Sequence, residues 1–339
     1  MNWLKRIAVM GAMAALVAAC GGSTPAATSK TSVDTTSFGF GADSTPDESY
    51  LPILMALDQM RKDGYNVPAT TQLNGTSLVI QAVANDQLQL FGSGVIQVAT
   101  AIKKGIPLTA ISARNNNTWS LVTTSDITSC SQLSGKKVAI FSTGGTSTAY
   151  LKIYFAKNCP SVKPTYLIIA DSTLRRQALE NGQVVAAPLE GADTVSIVNS
   201  NPSKFHVLAS MAKELPGVGR DVVTTSPTFV KDHPSILKAF VKDQLLATRS
   251  LYKSPALVRT ETAKYFNYGA QADAIGKFFT STQQWCANGG LQTATMDNQL
   301  QTFESAGKIP AGVTTSQVVN DSIVKAVLKQ IGTSSATTC

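Results

Sequence analysis

The feature that most constrains this fold is an alternation of short β-rich runs with helical runs, which occurs twice along the chain. In the first set, runs such as "TSFGFGA", "LQLFGS" and "PLTAISA" alternate with amphipathic runs such as "DESYLPILMALDQMRKDG". The second set begins with "KKVAIF" and ends with "FHVLAS". Strands that are separated by helices pair in parallel, and the helices cover both faces of the sheet. The sequence therefore predicts an α/β fold with two mainly parallel sheets.

Two similar strings separate these sets, "LVTTS" at residues 121–125 and "VVTTS" at residues 222–226. A five-residue echo is also compatible with coincidence among short β-prone strings. We interpret the two strings as crossover strands, through which the chain leaves a first lobe, builds a second and returns. Lobe one is then predicted to cover residues 36–118 and 222–339, and lobe two residues 119–221. Two connections between lobes make a hinge.

The N-terminus indicates export from the cytoplasm. Lys5 and Arg6 precede an apolar run that is too short to span a membrane and is typical of a secretory signal. The string "LVAAC" resembles a bacterial lipobox, which predicts a signal peptide over residues 1–19 and a lipid anchor on Cys20. Residues 20–35 are rich in Gly, Ser, Thr and Ala and predict a flexible tether. We expect a lipid-anchored protein in the periplasm or on the outer face of the cell membrane.

Four cysteines remain beyond the predicted anchor, and an oxidising compartment allows three pairings among them. Cys130 precedes the strand "KKVAIF", and Cys159 ends the helix that follows this strand. A helix that runs back along its strand brings these two ends to one edge of the sheet. This favours a Cys130–Cys159 disulfide and leaves Cys286 with Cys339. Because no CxxC or CxxH spacing occurs, we expect no metal site and no cofactor.

The string "FSTGGTSTAY" joins a strand to a helix through two glycines and several hydroxyl residues. It lacks the Lys that a Walker A loop needs after its last Gly, and it lacks GxGxxG. The amide groups of a helix N-terminus and nearby hydroxyls favour anions and oxygen-rich groups. A purely structural role as helix caps is the alternative, and at least one hydroxyl is expected to serve as a cap. The candidate ligand-binding residues here are Ser142, Thr143, Thr146 and Ser147.

Other polar residues follow predicted strands in the same way. Each alone is more typical of a turn or a cap, but all of them fall at carboxyl ends of strands, where open α/β sheets bind ligands. These candidates are Asp43, Ser44, Thr45, Tyr50, Asn74, Thr76, Ser77 and Ser93, with Asn115 and Trp119 beside the first crossover and Glu190 at a helix start. Arg114 and Arg220 are suited either to a ligand anion or to a salt bridge.

The sequence offers little for catalysis or for nucleic-acid binding. It has no HExxH or GxSxG motif, and its two histidines lie in contexts that favour structural roles. The formal net charge is +8, but the Lys and Arg residues are scattered. We therefore expect a protein that is not an enzyme and has no nucleic-acid partner.

Three strings resemble the solute-binding proteins of ABC importers, in the branch that binds alkanesulfonates, taurine, nitrate and the thiamine pyrimidine precursor. They are "QLSGKKVAIFSTGGTSTAYLKIYF", "RRQALENGQVVAAPLEGAD" and "VVTTSPTFVKDHPSILKAFVKDQLLAT", in the order and spacing of that family. The resemblance implies a periplasmic-binding-protein type II fold, in which two lobes close on a small ligand. It also implies a monomer that delivers this ligand to a permease and its ATPase.

The same resemblance places ligand groups at Ser142, Thr146, Ser147 and Glu190. Where the family often has an aromatic residue before the acid and a Pro after it, this chain has Leu189 and Gly191. A sulfonate, a carboxylate and a heterocyclic vitamin precursor all stay open as ligands. Two other classes of function also stay open. A lipid-anchored sensor would have the same cleft without a permease, whereas the isolated cysteines argue against a pyrimidine-synthase-like enzyme.

Overall fold

Ten strands form two separate five-stranded sheets in the part of the chain that the structure describes. This structure is a computed structural model that describes residues 34–219, 221–337 and 339. The predicted signal peptide, Cys20 and most of the tether lie outside the described residues, as does Arg220. The strands are β1 (Phe40–Ala42), β2 (Thr71–Gln72), β3 (Leu90–Gly94), β4 (Thr109–Asn115), β5 (Ser120–Thr124), β6 (Lys137–Ile140), β7 (Thr165–Ile168), β8 (Ala186–Leu189), β9 (Phe205–Ser210) and β10 (Asp221–Thr225).

The first sheet has the order β2-β1-β3-β10-β4, and the second has the order β7-β6-β8-β5-β9. In the first sheet, β10 runs antiparallel to β3 and β4, while β1 pairs in parallel with β2 and β3. In the second sheet, β5 runs antiparallel to β8 and β9, while β6 pairs in parallel with β7 and β8. The predicted α/β fold with mainly parallel sheets is confirmed. The antiparallel strand of each sheet contains the first four residues of one of the two similar strings.

We call the first sheet with its helices lobe one and the second sheet with its helices lobe two. The chain passes from β4 in lobe one directly to β5 in lobe two, and it returns to lobe one through β10. The residue numbers at which the sequence analysis divides the lobes stay a prediction. The geometry nevertheless has two strand connections between the sheets, as a hinge requires.

Fourteen α-helices accompany the two sheets in the described ranges, with short 3₁₀ helices at Glu48–Tyr50, Cys130–Leu133 and Gly269–Gln271. None of these helices is long and apolar enough to cross a membrane. The α-helices are α1 (Leu51–Lys62), α2 (Thr76–Ala84), α3 (Val95–Lys103), α4 (Thr146–Asn158), α5 (Ser172–Glu180), α6 (Gly191–Ser200), α7 (Met211–Glu214), α8 (Pro227–Asp232), α9 (Pro234–Lys253), α10 (Pro255–Tyr265), α11 (Ala272–Ser281), α12 (Thr293–Ser305), α13 (Thr315–Val318) and α14 (Ser322–Ile331).

An aromatic cluster in lobe one supports the loop that follows β1. The ring of Trp285 stacks on Phe279 with centroids 5.4 Å apart, and the Trp285 indole donates a hydrogen bond of 3.1 Å to the carbonyl oxygen of Glu48. Trp285 is fully buried, so a donor at this position needs the partner that it has. The neighbouring Cys286 is bonded to Cys339, and Cys130 is bonded to Cys159. These are the two pairs that the sequence analysis favours.

Candidate ligand-binding cleft

Two adjoining cavities lie between the lobes, at the carboxyl ends of the parallel strands. One has a volume of about 40 Å³ and is lined by Arg114 and Arg175, and we call it the arginine cavity. The other has a volume of about 270 Å³ and is lined by Asp47 and Asp193, and we call it the acidic cavity. The residues that line both cavities are Ser44, Ser172 and Glu190. Together the cavities form one cleft at the edge where α/β sheets bind ligands.

Arg114 lies on β4 in lobe one, and only 4% of it is exposed. Its Nη2 atom pairs with Asp221 Oδ2 on the neighbouring β10, and its Cζ atom lies 4.2 Å from the centroid of the Tyr50 ring. The Nε and Nη1 atoms of Arg114 have no hydrogen-bond partner among the described residues, and neither has Asp221 Oδ1. A buried donor without a partner is costly. The Nε and Nη1 atoms of Arg114 therefore favour a ligand that is rich in oxygen atoms.

Asp43 follows β1 and lies beside this ion pair. It accepts hydrogen bonds from the Thr76 hydroxyl at 2.7 Å and the Tyr50 hydroxyl at 3.3 Å. Burial raises the pKa of Asp43, and the positive charge of Arg114 opposes this shift. Burial likewise raises the pKa of Asp221, against the attraction of Arg114. Arg114 is therefore flanked by two carboxyl groups and still presents unpaired N–H groups.

Arg175 lies on α5 in lobe two and is fully buried. Its Nε atom donates to the Pro188 carbonyl at 2.9 Å, and its Nη1 atom donates to the Ile169 carbonyl at 2.8 Å. Its Nη2 atom has no partner in the described ranges. Burial lowers the pKa of Arg175 to about 10, so the group stays protonated at neutral pH. The arginine cavity thus receives a guanidinium group from each lobe.

The N-terminus of α4 forms another wall of the arginine cavity, where Thr146 and Ser147 line it. The helix is capped by Gly145 and has no side-chain cap hydrogen bond, so the expectation that a Ser or Thr hydroxyl caps this helix is wrong. The Thr146 hydroxyl instead donates to Gln97 Oε1 in lobe one at 2.9 Å. The first amide groups of α4 are therefore left for an acceptor other than a capping side chain.

Glu190 follows β8 as the N-cap residue of α6, at the junction of the two cavities, and 8% of it is exposed. Burial raises the pKa of Glu190 well above its usual range, and the nearby carboxyl group of Asp47 raises it further. Asp47 belongs to lobe one, so two carboxyl groups from opposite lobes meet here. Neither of them forms an ion pair within the described part of the chain.

The residue that follows the acid is fixed by packing. A Cβ atom added to Gly191 would lie 2.5 Å from Phe278 Cε1 on α11 of lobe one. A Pro at this position would meet the same ring, which explains the departure from the family pattern. The small residue lets α6 of lobe two pack closely against α11.

Eight of the fifteen candidate ligand residues line the cleft, namely Asp43, Ser44, Thr45, Thr76, Trp119, Thr146, Ser147 and Glu190. Tyr50 lies beneath it as the ring under Arg114. Ser93 and Asn115 are buried away from both cavities. Asn74, Ser77 and Thr143 are exposed outside the cleft, and Ser142 is half-buried outside it.

Sequence reasoning missed several lining residues, of which Arg175 is the most informative. Arg175 lies on the same helical face as the buried Ala178 and Leu179, three and four positions later. The position of a charged residue on an apolar helix face is the sequence signal that could have identified Arg175. The other missed residues include Asp47, Gln97, Ser172, Arg176 and Asp221.

No group of three or more His, Cys, Asp or Glu side chains in the described ranges is arranged to hold a metal ion. Asp193 instead pairs with Arg176 at 2.9 Å and accepts a hydrogen bond from the Thr173 hydroxyl at 3.2 Å. The chemistry that the cleft offers is thus binding through guanidinium groups, carboxyl groups and hydroxyls.

Many solved structures share this fold. The alkanesulfonate-binding protein SsuA from Xanthomonas axonopodis pv. citri, bound to MOPS, has a TM-score of 0.67 at 15% identity, covering 86% of this chain and 100% of that chain. The periplasmic nitrate-binding protein NrtA from Synechocystis has a TM-score of 0.69 at 11% identity, covering 88% and 90%. A zinc-bound ligand-binding component of an ABC-type import system from Staphylococcus aureus has a TM-score of 0.68 at 11% identity, covering 86% and 98%.

These neighbours are binding proteins rather than enzymes. No curated protein matches this chain in sequence. The profile described as NMT1/THI5 like matches residues 61–257, which is more than half of the 339 residues. The match includes strands of both sheets and both arginines of the arginine cavity. The chain therefore belongs to the NMT1/THI5-like family.

Proposed function

We propose that this protein is the extracytoplasmic solute-binding component of an ABC importer and captures a small organic anion between its lobes. The observation that carries the proposal is the pair of buried guanidinium groups in the arginine cavity. One comes from each lobe, and both have N–H groups without a protein partner in the described ranges. The role is binding and delivery, without a chemical step.

The arginine cavity suits a compact oxyanion such as a carboxylate, sulfonate or phosphonate. Its volume of about 40 Å³ is room for roughly three water molecules at 10–15 Å³ each, close to the size of such a group. Guanidinium groups bind such oxygens through charge-assisted hydrogen bonds. Ser147 and the amide groups at the start of α4 provide further donors on the same wall.

The two-lobed architecture supports capture by hinge closure. Arg114 is fixed to lobe one by Asp221, whereas Arg175 is fixed to lobe two by carbonyl groups of that lobe. A guest that accepts from both arginines joins the lobes, and separating them removes one half of the site. Binding and closure are therefore coupled.

The neighbours support the importer role through their fold and their described ligands. One binds alkanesulfonates, one binds nitrate, and one is a component of an ABC-type import system. The first two ligands are oxyanions, which agrees with the chemistry of the arginine cavity. We propose that this protein is a monomer. We also propose that it delivers its ligand to a permease and an ATPase.

Thermal melting and calorimetry against alkanesulfonates, carboxylates, phosphonates and heterocyclic vitamin precursors test this function. A ligand at about 100 times its Kd raises the free energy of unfolding by about 2.7 kcal/mol, which gives a clear shift in Tm. Ser147→Ala is expected to weaken binding of the anion that stabilises the protein. Thr143→Ala, in the turn before α4 and exposed outside the cleft, is the matched control. If no anion in the panel binds, the proposal is wrong.

The lipid anchor on Cys20 is part of the same proposal. Metabolic labelling with a fatty acid, followed by membrane fractionation, tests it directly. The wild-type chain is expected to carry label and to sediment with membranes, whereas a Cys20→Ser chain carries none. Equal labelling of both chains would contradict the anchor while leaving the ligand site untouched.

A further inference from the structure

We propose that the ligand is a zwitterion, whose anionic group lies in the arginine cavity and whose cationic nitrogen lies between Asp47 and Glu190 in the acidic cavity. This inference rests on the proposed function and specifies its ligand. The nitrogen belongs to a group such as an ammonium or an amidinium. Such a group donates hydrogen bonds to carboxylates.

The two cavities have unequal sizes, so we expect the ligand to have a compact anionic group and a larger remainder. The arginine cavity holds one compact group, whereas the acidic cavity has a volume of about 270 Å³. Ser44, Ser172 and Glu190 line both cavities, so a single molecule can extend from one to the other. A ligand whose anionic head meets Arg114 and Arg175 thus places its other end beside Glu190.

The acidic cavity has an excess of carboxyl groups over cations. Four acidic residues line it with one basic residue, Arg176, and Arg176 is engaged with Asp193 and Glu180. Asp171 accepts a hydrogen bond from the amide of Leu174 as the cap of α5. Asp47 and Glu190 are thus left without a cationic partner among the described residues, and Asp47 Oδ2 is buried with no hydrogen-bond partner there.

These two carboxyl groups come from opposite lobes, and more than nine-tenths of Glu190 is buried. Two like charges at one buried point repel strongly, so the pair needs either a shared proton or a cation. A ligand cation fulfils this need and links the lobes at a second point. The arginine pair attracts an anion and the carboxyl pair attracts a cation, so a molecule with both charges gains at both sites.

A ligand cation would replace the proton on Glu190, so the pH dependence of binding provides a separate test. Burial and Asp47 raise the pKa of Glu190, while Arg114 opposes the shift. The other charged groups that act on Glu190 are Asp221 in lobe one and Arg175 in lobe two, and Asp193 lies on the same cavity wall. Without a ligand cation, these effects favour the protonated form of Glu190. The affinity of an anion without an amine is therefore expected to fall with rising pH more steeply than that of a zwitterion.

Calorimetry with matched pairs of compounds tests the proposal on the purified chain. The pairs are γ-aminobutyrate with butanoate, β-alanine with propanoate, and aminoalkanesulfonates with the corresponding alkanesulfonates. At neutral pH we expect the amino compound of at least one pair to bind about tenfold tighter or more, as for a buried charge-assisted hydrogen bond. Asp47→Asn and Glu190→Gln are each expected to remove this ratio, because each variant removes a carboxylate that would accept from the ligand cation.

Ser196→Ala is the control variant, because Ser196 lines the acidic cavity and its hydroxyl is bound to the Ala192 carbonyl. It is expected to keep the full ratio. If simple anions bind as tightly as their amino counterparts, or if the ratio survives in both carboxyl variants, the zwitterion is wrong and the anion-binding function stands. If no member of any pair binds, both proposals are wrong for these ligand classes.

Discussion

The Thr146 hydroxyl in lobe two donates a hydrogen bond of 2.9 Å to the side-chain oxygen of Gln97 in lobe one. The amide group of the same Gln97 donates a hydrogen bond of 3.0 Å to the carbonyl of Gly144. One side chain on α3 therefore holds the turn that begins α4, next to the proposed anion site. The position of this helix N-terminus, which sequence alone assigns to lobe two, depends on a residue of lobe one.

Gln97→Ala should loosen the closed cleft. Each of its two neutral hydrogen bonds contributes roughly 1 kcal/mol, so removing both is expected to raise the Kd by about thirtyfold, mainly through faster dissociation. Stopped-flow dissociation of a ligand found in the binding panel measures this. Gln59→Ala on α1, whose side chain donates to Asp63 Oδ1 at 2.8 Å and does not line the cleft, is the control and should leave the rate unchanged. A wild-type dissociation rate in Gln97→Ala would contradict a closing role for Gln97.

Gly94→Ala should obstruct the same contact by steric means. A Cβ atom at Gly94 would collide with the Thr146 hydroxyl and lie 2.9 Å from Thr146 Cβ. The backbone at Gly94 has a φ of −68°, which suits alanine, so lobe one itself should fold normally. We expect ligand affinity to fall by more than tenfold.

A double-mutant cycle separates this collision from other effects. Thr146→Ala alone should weaken binding because it removes a hydrogen bond, but in the Gly94→Ala background it should restore part of the affinity. The change of sign is the diagnostic result, measured by calorimetry on all four proteins. Additive losses would show that the two residues do not meet during binding.

Much of the fold follows from the sequence because its signals are local. The strand strings, the helices between them and the two crossover strands are visible as periodicity and composition. The pairing of Cys130 with Cys159 follows from the same reasoning, because a helix that returns along its strand has few places to end. These features can be predicted without knowing how the two lobes contact each other.

The details of the cleft depend on contacts between distant parts of the chain. Thr143 and Ser147 both lie in one hydroxyl-rich string, yet only Ser147 lines the cavity, because Thr143 lies in the exposed turn before α4 and Ser147 lies in the first turn of that helix. The string predicts a capping hydroxyl, but Thr146 bonds across the cleft instead. Asp47 and Glu190 line one cavity from opposite lobes, and their separation in sequence hides this pair.

Glu48 predicts a pH dependence of stability. It is fully buried, one carboxyl oxygen accepts a hydrogen bond of 2.6 Å from Thr262, and the other has no partner in the described ranges. Burial raises the pKa of Glu48 from 4.5 to about 8, the Thr262 hydrogen bond lowers it, and the charge of Asp47 raises it. The folded protein therefore binds a proton that the unfolded chain releases above pH 4.5.

This sign means that the contribution of Glu48 is full below about pH 4.5 and is lost as the pH rises to about 8. The free energy of unfolding should fall by up to about 1.4 kcal/mol per pH unit in that window because of this group. Glu48→Gln should flatten the slope, whereas Glu304→Gln on α12 serves as the control. Urea unfolding at several pH values provides the measurement. An unchanged slope in Glu48→Gln would contradict the assignment.

The Cys130–Cys159 disulfide should stabilise lobe two without taking part in ligand binding. It closes a loop with a sequence separation of 29 residues, and neither cysteine lines the cleft. In the chain-entropy model a loop of this size contributes roughly 3–4 kcal/mol. Replacing both cysteines with serine is therefore expected to lower the Tm by several degrees while leaving ligand affinity within about twofold of wild type. Peptide mapping without reduction should recover Cys130 joined to Cys159, and a peptide that joins Cys130 to Cys286 would overturn the pairing on which this prediction depends.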